Sequence, residues 1–206
     1  MTASKLCAVV GASFLLLAAV PQVQAQSQAA GAPQYQVGDR LAAPAGSASG
    51  PFRELSWDEL MPADWKPEAL FADINLDELG DNDPRAMEVL QRIREEWDRA
   101  PVVERLAGER VRIPGFLVPL ETNGEQISEF LLVPYFGACV HVPPPPANQL
   151  IHVIPDKAVP AGYNMLPVWV EGVMAVGRID SDMGVAGYQL RGMKVEEYID
   201  TEPLPD

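Results

Sequence analysis

The spacing of hydrophobic and polar positions changes character three times along the chain. Leu6 to Val20 is an unbroken apolar run, ended by Pro21. Residues 26–53 have little apolar content; Gln26 to Gly50 is rich in Ala, Gln, Gly, Ser and Pro, which predicts a flexible linker. Residues 54–107 carry helical spacing. Ser56 is placed to cap a turn holding Asp58 and Glu59, and Asp83-Pro84 joins a capping side chain to a proline at the first helical position. Met87, Leu90, Ile93 and Trp97 then recur three and four residues apart, making one apolar face, so this segment is expected to pack on the main domain.

Residues 108–206 change to the period of strands. Arg110 to Ile113 alternates, and Phe116-Leu117-Val118 continues beyond a Pro114-Gly115 kink. Thr122-Asn123-Gly124 is a hairpin signal, followed by apolar runs over Ile127–Val133, Leu150–Ile154, Val168–Val176 and Tyr188–Leu190. About five short strands with glycine kinks at Gly115 and Gly172 suit a small antiparallel barrel. The expected fold is therefore mainly β, an OB-like antiparallel barrel preceded by a helical segment, with a β-sandwich as the alternative.

Composition sharpens the address. The 206 residues hold 15 Lys+Arg against 29 Asp+Glu, a formal charge of −14. Such acidity argues against nucleic acid as a partner, because phosphate contacts need clustered cations. Lys5, the apolar run and the small residues of Val23-Gln24-Ala25 read as an export signal over residues 1–25, cleaved after Ala25 to leave a periplasmic chain with no transmembrane segment. Cys7 opens the apolar run instead of ending it, unlike a lipobox cysteine. Cleavage would remove Lys5 and Cys7, leaving 14 cations, 29 acids, a charge of −15 and one cysteine.

That cysteine, Cys139, and the only histidines, His141 and His152, all lie within residues 134–152. Thiolate and imidazole are good ligands for zinc or copper. On a strand, Cys139 and His141 would leave the same face, whereas the position of His152 depends on the parity of the intervening loop. The four consecutive prolines, Pro143, Pro144, Pro145 and Pro146, fix φ and supply no backbone donors, so they can hold a ligand set or present a proline surface to a partner. A buried structural cysteine and a catalytic Cys139–His141 pair are the other readings; the second lacks an identifiable orienting group. Met165, Met174, Met183 and Met193 are expected to pack in the core. The acidic run 77–83 lacks the ligand spacing of a calcium loop.

The stretch from Gly137 through Cys139 and the prolines to Gln149, with Glu129–Phe136, Trp57–Pro62 and Val111–Leu120, resembles a family of bacterial exported proteins and lipoproteins of unknown function. The resemblance covers roughly residues 55–200 and implies Cys139, His141, Asn148 and Gln149 as site candidates. It also implies an accessory role beside envelope ABC-transporter components. The leading expectation is thus a periplasmic binding or accessory protein that coordinates zinc or copper through Cys139, His141 and His152. Tyr135, Pro143–Pro146, Asn148 and Gln149 form the expected binding surface. A protein-interaction module presenting the proline loop without metal is the alternative, and a thiol enzyme is a third reading.

Overall fold

The computed structural model describes residues 34–41, 51–67, 84–140 and 144–199. The expected signal and its cleavage point lie outside the described residues, as do His141 and Pro143. A compact unit begins at Tyr35.

Among the described residues, seven strands form one sheet: β1 (Arg53–Glu54), β2 (Arg110–Asn123), β3 (Gln126–Val133), β4 (Ile151–Pro155), β5 (Val159–Pro160), β6 (Pro167–Ser181) and β7 (Gly184–Glu197). Their order is β1-β2-β6-β7-β4-β3-β5, and a further pairing of β2 with β3 brings β2, β6, β7, β4 and β3 into a partly closed ring. The sheet is mixed, not antiparallel throughout, since β4–β7 and β1–β2 are parallel pairs. Alternation along each strand says which face is buried but not which neighbour it meets, and β4 and β7 are brought together across 28 intervening residues.

The hairpin signal at Asn123-Gly124 joins β2 to β3, with Asn123 opposite Gln126 and Gly124 at φ +63°. Two glycines permit close strand approach. A Cβ on Gly115 would lie 2.7 Å from Leu132 Cγ, and one on Gly172 would lie 2.1 Å from the Arg191 carbonyl oxygen. Gly172 also sits at a register shift between β6 and β7, where the long strands bend.

Inside the ring, Val111, Ile113, Phe130, Leu132, Ile151, Val153, Val170, Tyr188 and Leu190 make the main core. The alternate residues Phe116, Val118, Leu131 and Val133 belong to a second apolar layer outside β2 and β3, covered by Tyr35, Leu41, Phe136, Cys139 and Met183 among others. Burial on both faces explains why Phe116–Val118 and Phe130–Val133 read as continuous apolar runs.

The segment expected to be helical contains one α-helix among the described residues, α1 (Pro84–Trp97), which follows β1 in the chain. A 3-10 turn over Trp57–Leu60 precedes it, and Glu59 accepts the Ser56 backbone N–H at 3.0 Å. Met87 and Leu90 are 66% and 53% exposed, whereas Ile93 and Trp97 are half-buried. Only the C-terminal half of the expected packing face is therefore partly covered. No helix among the described residues is long and apolar enough to cross a membrane.

Candidate functional site

The 134–152 segment is built differently from a strand pair. β3 ends at Val133, and the chain then turns, with Tyr135 bridging Arg40 and with Gly137 and Cys139 at φ +83° and +65°. Left-handed backbone at a cysteine breaks the two-residue alternation, so the expectation that Cys139 and His141 share a strand face loses its premise. Beyond the prolines comes a 3-10 turn over Ala147–Gln149 and then β4.

Asn148 and Gln149, expected to contact a ligand, are instead buried and engaged. Asn148 Nδ2 donates to the Pro101 carbonyl at 2.9 Å, and Gln149 Nε2 donates to the Trp57 carbonyl at 2.9 Å and the Asn148 carbonyl at 3.1 Å. Their amides staple the motif to the preceding segments. Pro145 is buried and Pro146 half-buried, while Pro144 packs against the Gly184 turn. Pro144 to Pro146 thus form largely a wall and not a fully presented surface. Tyr135 is half-buried, with the Arg40 guanidinium 5.6 Å from its ring centroid. Burial raises the Tyr135 pKa; the Cys139 charge adds to the rise and Arg40 opposes it.

Cys139 opens on a cavity of about 530 Å³ whose lining includes Arg94, Asp98, Pro144, Asp182 and Met183. Burial pushes its thiol up to about 12, because the thiolate loses solvation there. A second cavity of about 470 Å³ is lined by Glu121, Glu129, His152, Asp180, Asp182 and Met183. The two share the turn Ser181–Met183, with Cys139 in one and His152 in the other.

His152 sits on β4 between Leu131 of β3 and Gln189 of β7 and is 3% exposed. Gln189 Nε2 donates to its Nδ1 at 3.2 Å, which leaves Nε2 as the N–H facing the Glu129 carboxylate. Both ring nitrogens are occupied, so His152 is not a ready metal ligand or base. Among the described residues, no group of three or more His, Cys, Asp or Glu side chains is placed to hold a metal ion. Of the expected Cys139–His141–His152 set, Cys139 and His152 line neighbouring cavities, and His141 lies outside the described residues.

Sequence reasoning passed over Met183 as core packing. It is half-buried and lines both cavities, whereas Met174 is a true core residue. Its place in the two-residue turn between β6 and β7 was the available signal.

Comparison with known proteins fits this architecture. Residues 57–197 match the family described as "Protein of unknown function (DUF3299)". A crystal structure of a DUF3299 family protein from Pseudomonas aeruginosa PAO1 is similar, with 37% identity and a TM-score of 0.59. The likeness covers 74% of this chain and 100% of that one. No curated protein matches the chain.

Proposed function

The chain belongs to the DUF3299 family, and from that premise we propose an exported, periplasmic accessory protein that binds a soft transition metal beside an ABC-type envelope transporter. One observation carries the metal assignment: Cys139, a thiol, and Met183, a thioether, line the same cavity. Thiolate and thioether together select Cu(I) over harder cations. One thiolate also neutralises a monovalent ion, which suits a partly desolvated wall better than an under-neutralised Zn²⁺. An OB-like barrel belongs to the same proposal. Numbered around the ring, its strands run first-second-third-fifth-fourth, with the third–fifth pair parallel, and this supports a five-stranded Greek-key barrel.

The readings without metal have less support. A thiol held near 12 is about one part in 10⁵ thiolate at pH 7, which disfavours a metal-free cysteine nucleophile, whereas a binding metal ion itself displaces the proton. Burial of Pro145 and of the Asn148 and Gln149 amides works against a proline-surface module.

The test is a competitive titration of chelator-treated protein, carrying Cys7→Ser, with Cu(I) and with Zn(II). One equivalent of Cu(I) is expected to bind, to weaken at least 100-fold in Cys139→Ala and to be unchanged in His152→Gln. Cu(I) affinity no tighter than that of Cys139→Ala would reject the assignment.

A further inference from the structure

The segment expected to be a flexible linker contains a docked element. Residues 35–41 lie on the outer apolar layer, with Tyr35 and Leu41 packed against it. The Tyr35 ring meets Phe116 edge-on at 5.0 Å and stacks on Phe136 at 6.2 Å, while Phe116 and Phe136 are 5.6 Å apart. The backbone is tied at the same point: Gly38 N–H donates to the Phe136 carbonyl at 3.0 Å, and Phe136 N–H donates to the Asp39 carbonyl at 2.9 Å.

Both backbone groups of Phe136 are thereby committed to residues 35–41, three positions before Cys139. The segment is itself shaped for this contact. Asp39 Oδ2 accepts the Gln36 N–H at 2.7 Å, Asp39 N–H donates to the Gln36 carbonyl at 2.9 Å, and Gly38 adopts φ +96°. Such a turn favours glycine. The element precedes the family-matched residues 57–197.

We propose that residues 35–41 act as a latch: docked, they hold the 134–140 turn against the barrel and restrict access to Cys139, and undocked, they release the turn and open the cleft. Undocking leaves Phe136 N–H and C=O without protein partners and uncovers its ring, so the turn and the segment open together. This inference rests on the cleft being the binding site. Its test reads the thiol without metal, so failure of Cu(I) binding and failure of the latch are separate outcomes.

The full chain is treated with iodoacetamide at pH 8, and labelling is followed by mass spectrometry on the peptide that contains Cys139. Tyr35→Ala with Gly38→Pro removes the ring contact, the N–H donor and the required φ, and labelling is expected to accelerate at least tenfold. Val37→Ala, at an exposed position, keeps the backbone bonds, the Tyr35 ring and the Arg40–Tyr135 contact and is expected to stay within threefold of the parent. A double variant labelled at the parent rate overturns the latch. Hydrogen exchange of the unaltered chain gives a second test that needs no variant. Segments 35–41 and 134–140 are expected to exchange together and faster than β2 and β3. A 134–140 segment that stays protected while 35–41 exchanges also overturns the latch.

Discussion

The reactivity of Cys139 follows from where its sulfur sits. The ordinary thiol value of 9.0 rises to about 12 because burial destabilises the thiolate. Three units correspond to about a thousandfold less thiolate at any pH well below 9. The predicted second-order rate of alkylation at pH 7.5 is therefore about 10³-fold below that of an exposed cysteine, apart from steric protection. The rate should climb tenfold per pH unit through pH 10 without a plateau. The sign for stability follows from the same shift. The folded state keeps the proton longer than the unfolded state, so its advantage is full below pH 9 and is lost as pH rises toward 12. Relative to Cys139→Ser, the parent should lose up to about 1.4 kcal/mol per unit in that window. The assay is iodoacetamide labelling from pH 6 to 10, quantified on the Cys139 peptide. A plateau below pH 9 would refute the reasoning, because it would mean that a cationic partner or solvent stabilises the thiolate.

Two further predictions concern the frame of the cleft. Tyr188 OH donates to the Leu60 carbonyl and accepts from Val103 N–H, each at 2.7 Å. Tyr188→Phe leaves both groups unpaired and should cost about 2–4 kcal/mol in urea unfolding, with a loss below 0.5 kcal/mol contradicting the staple. Gly172→Ala places a Cβ against the Arg191 carbonyl and should destabilise by about 3 kcal/mol or prevent soluble expression; a parent-like melting temperature would show that the β6–β7 bend relaxes freely.

The strands were legible because each carries its own alternation, and the β2–β3 hairpin because Asn123-Gly124 is a local signal with a local outcome. Gly115 and Gly172 marked places where strands approach closely, as the steric contacts there explain. The parallel β4–β7 pair was not legible, since pairing partners are chosen by global packing. The surroundings of the motif were not legible for a related reason. Asn148 and Gln149 find their carbonyl partners 47 and 92 residues away, and His152 finds its carboxylate 23 residues away. Nothing in the local sequence separates a buried amide staple from an exposed recognition group. The docked 35–41 element was hidden in low-complexity surroundings, where Tyr35, Gly38, Asp39 and Leu41 carry its contacts.

The central claim is a soft-metal cleft made by Cys139 and Met183. Its most direct test is X-ray absorption of the protein, carrying Cys7→Ser, loaded with one equivalent of Cu(I). Two sulfur neighbours are predicted, falling to one in Met183→Leu. A first shell dominated by nitrogen or oxygen, or one unchanged by Met183→Leu, would contradict it.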